Sequence, residues 1–372
     1  MKNLISLALI SLLIFGCKSQ EEAQIVDLER NDQVSIFDLV DSISVVKLET
    51  NDQCLIKNID EIIPFENRLY IFDSRLNIVF CFDQDGKYLF KINKKGRGPD
   101  EYENATFVNI DRYNNLIMIL VPWGYLHYYD LNGNFISKIE LSKETVAYNE
   151  VYAINKDTLL FISFNQLRAS YYSISEKRIL KRFLEVSLIK HYSVSPINKT
   201  YIYKDSIYFN DNSDNCKILN LSDTNNPVVF NWNFGKYNNK QRQFRKIYNS
   251  QFDKKTKRRK STLTFEQLMD ILNNYPLTSI ETSKFQSLSM FFKSSEKFIF
   301  FNKHEKNYLI FKETVEGARP YGHLNYANIA FYVCNDKNAL FLTNILSDRQ
   351  KNIVESHDSE KENPFLVIYN LK

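Results

Sequence analysis

The residues best suited to proton transfer or metal ligation near neutral pH are five histidines, His127, His191, His304, His323 and His357. None stands in the H-x-x-x-H or H-E-x-x-H spacing that sets two imidazoles on one helix face. No metal or cofactor is therefore expected, short of a ring of ligands gathered from distant segments. No G-x-S-x-G elbow offers a nucleophilic serine. Gly96 and Gly98 lie close together, but no G-K-[ST] follows, so a phosphate cradle is not indicated. Beyond Cys17, the thiols Cys54, Cys81, Cys216 and Cys334 are widely spaced and read as buried and free. Asp83 and Asp130 occupy equal places in a repeated turn, so turn chemistry explains them better than paired-carboxylate hydrolysis. No catalytic residue is assigned on these grounds.

The elements that would position any site come from a repeat. Phe82-Asp83-Gln84-Asp85-Gly86-Lys87 and Tyr129-Asp130-Leu131-Asn132-Gly133-Asn134 share one pattern, 47 residues apart. Asp-Gly and Asn-Gly between apolar runs mark hairpins, here expected as type I′ turns. The flanks repeat too, Leu69–Phe72 with Leu116–Ile119 and Lys87–Ile92 with Asn134–Ile139. Four short strands per unit of 40 to 50 residues imply propeller blades. Leu159–Ile162, Tyr171–Ile174 and Arg178–Phe183 suggest a third blade, and Ser206–Phe209, Lys217–Leu221 and Val228–Phe234 a fourth. Lys297–Phe301 with Asn307–Phe311 suggests a fifth, and Ala339–Thr343 with Phe365–Leu371 a sixth that lacks a strand. Ser44–Leu48 near the N-terminus would supply it and close the ring. The 23 Tyr and 28 Phe suit such an all-β core, and the fold expected is a six-bladed β-propeller of four-stranded blades.

Residues 236–284 break the pattern and are expected to form a basic, partly helical insertion, with Phe265, Leu268, Met269 and Leu272 on one helical face. From Lys240 to Lys260 ten Lys or Arg accompany a single acid, leaving 38 basic and 43 acidic residues elsewhere. The formal charge of +4 is thus one local segment, which reads as a solvated loop or as a contact for lipid phosphates or acidic glycan. Nucleic acid is not an expected partner.

The first residues read as export machinery. Lys2 precedes an apolar stretch, Leu4–Phe15, too short to cross a bilayer, and Gly16-Cys17 follows. This resembles the bacterial lipobox, in which the cysteine receives a diacylglyceryl group and becomes the mature N-terminus. Residues 1–16 are then a signal peptide, 17–40 a tether and 41–372 the propeller. The acidic Glu21 and Glu22 resemble a surface-export signal of some Gram-negative lipoproteins.

Gly96-Arg97-Gly98-Pro99-Asp100-Glu101-Tyr102 links the first blade to the second. On this loop the chain resembles the six-bladed β-propeller lipoproteins of Gram-negative bacteria, which implies the fold and an envelope location, lipid-anchored and at the outer membrane, but no activity. In such a blade, loops between its second and third strands share a face with the blade-to-blade loops. Arg97, Tyr102, Trp123, Arg168 and His304 would then form one aromatic and cationic surface. Alternatively, Trp123 packs a blade and Arg97 bonds its own loop. The expected function is a lipid-anchored binding or scaffold module for a glycan, peptide or envelope protein. The other readings are a hydrolase or lyase with its site at the central channel, or a purely structural assembly subunit.

Overall fold

In the computed structural model the residues described are 24–121, 124–141, 148–163, 168–184, 200–211, 217–238, 275–293, 295–322, 324–334, 342 and 344–372. A short helix α1 (Ile36–Leu39) leads into β1 (Val40–Lys47). Blade one is β2 (Glu61–Phe65), β3 (Arg68–Asp73), β4 (Ile78–Asp83) and β5 (Tyr88–Ile92). Blade two is β6 (Phe107–Asp111), β7 (Leu116–Val121), β8 (Tyr125–Asp130) and β9 (Phe135–Glu140). Blade three is β10 (Glu150–Ala153), β11 (Thr158–Ser163), β12 (Arg168–Ser173) and β13 (Arg178–Phe183). Blade four is β14 (Thr200–Tyr203), β15 (Ser206–Asp211), β16 (Lys217–Asn220) and β17 (Val228–Asn231). Blade five is β18 (Tyr275–Glu281), β19 (Phe285–Phe292), β20 (Ser295–Asn302) and β21 (Asn307–Phe311). Blade six takes β22 (Leu324–Tyr326), β23 (Ile329–Cys334) and β24 (Phe365–Leu371), with helix α2 (Asp348–Glu355) between the last two, and β1 as its outer strand.

The expected closure is present: β1 pairs antiparallel with β24, from Val40 opposite Leu371 to Lys47 opposite Phe365. The repeated turns are built alike. Asp83 accepts the amides of Asp85 and Lys87 through one carboxylate oxygen, and Asp130 those of Asn132 and Asn134. The turn type differs from expectation. Only Gly86 and Gly133 take a positive φ, +86° and +84°, and the ladder slips by one residue in each hairpin. Such a three-residue loop with a left-handed glycine and a bulge requires glycine at one position, where a type I′ turn would need two positive φ values. Each glycine also touches the preceding blade. A Cβ on Gly133 would lie 2.7 Å from Phe90, and one on Gly86 would strike the Lys47 carbonyl.

Three boundaries shift. The segment read as a 236–284 insertion ends inside blade five, because Tyr275–Glu281 is its innermost strand. Its polar composition hid it: next to the axis the sheet buries Ser279, Gln286, Ser287 and Ser289, so strict apolar alternation is lost. The helix expected around Phe265–Leu272 lies outside the described residues. In blade six, Ile329–Cys334 is the second strand, and of Ala339–Thr343 only Leu342 is described.

The third shift concerns the tether. Residues 24–39 belong to the domain: Val26, Leu28, Val34, Ile36 and Leu39 are all buried, the first two in a cluster with Trp232, Phe234 and Met290. Val26 N–H donates to Asn233 O at 2.8 Å, and Asp32 N–H to Ile310 O at 2.7 Å. This strap covers the outer strand of blade five, whose backbone would otherwise be an open sheet edge. Leu28→Ala is accordingly expected to cost about 2–4 kcal/mol in a urea melt, the usual range for truncating a buried leucine. An unchanged midpoint would mean that the strap does not pack.

Candidate functional site

Four innermost strands begin with Glu61, Phe107, Glu150 and Thr200, on the face that also carries the Gly96–Tyr102 loop. These residues line a pocket on the ring axis together with Ile63, Asn109, Tyr152, Ile202 and Tyr326, drawn from blades one, two, three, four and six. Glu150 accepts hydrogen bonds from Thr200 Oγ1 at 2.6 Å and from Tyr152 OH at 3.0 Å. Phe107 packs edge-on against Tyr152 at 5.6 Å between centroids. Glu61 differs in having no hydrogen-bond partner among the described residues. Burial, the nearby Glu150 charge and, more weakly, Asp60 push its carboxyl up to about 8. At neutral pH the pocket thus presents a carboxylic acid able to donate beside a carboxyl group that accepts.

The other end of the axis is crossed by Arg112, which follows β6. Its guanidinium lies between the rings of Phe65 at 5.2 Å and Tyr326 at 5.4 Å. It donates to Tyr326 OH at 2.9 Å and to Asp205 of blade four at 3.1 Å. Four blades therefore meet on one cation at that end of the axis. The cavity volume is about 50 Å³, room for a few waters, so a larger ligand would rest on the mouth and insert only a small polar group.

The candidates drawn from the sequence separate. Tyr102 is buried, with its hydroxyl donating to Asn77 O at 3.1 Å, so it packs the blade one–two junction and presents no surface. The two loop glycines make room for Glu101, whose carboxylate folds back to accept Gly98 N–H at 2.7 Å; a Cβ on Gly96 would strike it. Lys94 and Asp100 pair at 2.8 Å, and Tyr129 OH donates to Asp100 O. The motif is thus a staple between blades. Arg97 remains on the surface and pairs with Glu103 in its own loop. His304 is exposed but sits between the third and fourth strands of blade five, on the face opposite Arg97. The reason is the register: Lys297–Phe301 forms the third strand of its blade, where the sequence pattern suggested the second. Arg168 opens β12 opposite Ser163 on the Arg97 face; its side chain, Trp123 and Cys17 lie outside the described residues.

Two further histidines are structural in setting. Burial lowers His127 to about 4, among Tyr102, Tyr125 and Phe135. His357 is also lowered by burial and lies 3.1 Å from Glu362. Among the described residues no group of three His, Cys, Asp or Glu is placed to hold a metal ion.

Fold and axis together define a closed six-bladed β-propeller with a polar pocket on the face that carries the Gly96–Tyr102 loop. The chain belongs to the family described as Domain of unknown function (DUF4934), whose model matches residues 23–370. A solved structure of a Bacteroides fragilis protein described as exported has a TM-score of 0.68 at 15% identity, covering 92% of this chain and 98% of that one. A member of the duf4221 family from Bacteroides vulgatus gives 0.49 at 12%, covering 92% and 99%. BamB from Moraxella catarrhalis gives 0.39 at 13%, covering 73% and 65%. At these identities the Bacteroides fragilis likeness is one of fold. No curated protein matches the chain significantly.

The sign of the Glu61 effect on stability is fixed by its raised value. Unfolded, a glutamate ionises near 4.3, so between that pH and about 8 the folded chain holds the extra proton and stability falls as pH rises. Above 8 the contribution is flat. Glu61→Gln should match the native chain near pH 4 and exceed it at pH 8.5 by roughly 2–5 kcal/mol in urea melts. Parallel pH profiles for the two would show that Glu61 is not held neutral.

Proposed function

We propose that the protein is a lipid-anchored propeller of a Gram-negative envelope, probing a glycan or peptide ligand with the polar pocket on its axis. The observation that carries the reading is the pocket geometry, in which the Glu61 carboxyl, without a side-chain hydrogen bond among the described residues, shares the pocket with an acceptor already oriented by Tyr152 and Thr200. Such a group is costly in a purely structural axis and useful for binding a hydroxyl or amide, which needs one donor and one acceptor. The apolar Ile63 and the ring of Phe107 give the inserted group a nonpolar wall. Arg97, with Trp123 and Arg168, would form the outer rim. Export and the anchor at Cys17 rest on the signal sequence and lipobox.

A second reading, a hydrolase or lyase, is favoured by the same two carboxyl groups, since one acid held protonated beside a second carboxyl is the arrangement for general acid–base work. Steady turnover of a glycan ligand that stops in Glu61→Gln would favour it over binding.

The binding reading is tested by screening the mature chain against glycan and peptide arrays and titrating the best ligand. Glu150→Gln should weaken binding about tenfold, as for a lost charge-assisted hydrogen bond, and native affinity should fall as pH passes 8. Full affinity in Glu150→Gln with loss in Arg97→Ala would move the site to the outer loops.

A further inference from the structure

The strap fixes where the chain leaves the domain. Ile25 packs against Gly235, Val26 bonds Asn233, and Glu29 accepts from Lys293 Nζ at 2.6 Å and Tyr237 OH at 2.5 Å. Arg30 donates to Tyr308 O at 2.7 Å and its own carbonyl accepts from Lys297 Nζ at 2.6 Å. The N-terminal segment is therefore pinned to the seam between blades four and five. From Cys17 to Gln24 the chain advances seven residues, which reach at most roughly 25 Å. A folded unit of this length is roughly 50 Å across by the usual scaling of radius with chain length. The rim of blades one and two, diametrically opposite the seam, is then beyond the reach of a bilayer holding Cys17.

The seam has the surface for such a neighbour. Ile25 is 62% exposed, and Val228 and Val229 on the outer strand of blade four are 51% and 47% exposed. Lys236, Lys293 and Lys312, in the segments that follow β17, β19 and β21, are also exposed. Apolar side chains set among cations suit an interface with acyl chains beneath anionic headgroups.

We infer that the propeller stands edge-on to the membrane, with the blade four–five seam against an anionic lipid surface and the pocket mouth facing sideways, along the bilayer. The inference rests on the lipid anchor proposed above. It accounts for Ile25, Val228 and Val229 remaining uncovered, and it leaves the ligand face free of the bilayer.

The test uses the full lipidated protein in vesicles of phosphatidylethanolamine and phosphatidylglycerol that carry a headgroup quencher. Fluorophores are placed by Val229→Cys at the seam, Leu89→Cys on the blade one rim, and Asp85→Cys on the face opposite the pocket. The expected result is loss of most fluorescence at position 229 and none beyond background at 89 or 85. Equal quenching at 229 and 89, or stronger quenching at 85, overturns the edge-on orientation while leaving the anchor intact. A protein that does not partition into vesicles, or a Cys17→Ser variant retained as well as the native chain, overturns the anchor and the orientation with it.

Discussion

Strand β1 and strand β24 come from opposite ends of the fold and exchange backbone hydrogen bonds over seven pairs, with one irregularity near Val40. Each strand alone would leave an open edge, and a ring with a gap has two. Their pairing fixes the positions of all six innermost strands about one axis. Glu61, Phe107, Glu150 and Thr200 share nothing in the sequence beyond opening their strands, and only closure brings them to one pocket. The same pairing draws residues 24–39 across the outside of blade five, because the chain must travel there to begin β1.

Between blades the contacts are of two kinds. Aromatic and aliphatic side chains fill the interfaces, and hydroxyl or guanidinium groups then reach across to a neighbour's turn carbonyl. Arg68 and Tyr70 both donate to Leu131 O, and Tyr171 OH donates to Leu221 O at 2.8 Å. Those carbonyls belong to hairpins between third and fourth strands, so each hairpin is held by the blade before it. The Gly96–Tyr102 loop does the same on the other face, where Tyr102 donates to Asn77 O and the Asn77 side chain accepts from Ala105 N–H. Its residues are specified by hydrogen bonds to one another and to the neighbouring blades, which explains a motif of this kind without a ligand.

The sequence pattern revealed blades one to four and the closing strand because their signals are local. A left-handed position selects glycine, and half-buried outer strands alternate. Blade five was only half legible, since its two inner strands β18 and β19 bury serine and glutamine among their apolar residues. The strap carries a weaker signal: Val26 and Leu28 alternate with Asp27 and Glu29, as an edge-covering segment should. The pocket was not legible at all. A lone glutamate such as Glu61 or Glu150 has no spacing partner within its own blade, and Glu61 is raised first by burial that only the closed ring creates and then by the charge of Glu150 from another blade. His304 was misplaced for the related reason that face depends on strand count, and one unrecognised strand inverts it.

Everything assigned to the axis therefore depends on the terminal strands staying paired. Amide hydrogen exchange in the native state measures this directly for Ile43–Val46 and Leu366–Tyr369. If closure holds the ring, these amides exchange only with the free energy of global unfolding, and with the same denaturant dependence as β7 and β11 in the interior of blades two and three. Exchange at a much lower free energy, with blades two and three still protected, would show that the ring opens at this seam while the rest stays folded, and that closure does not govern the pocket.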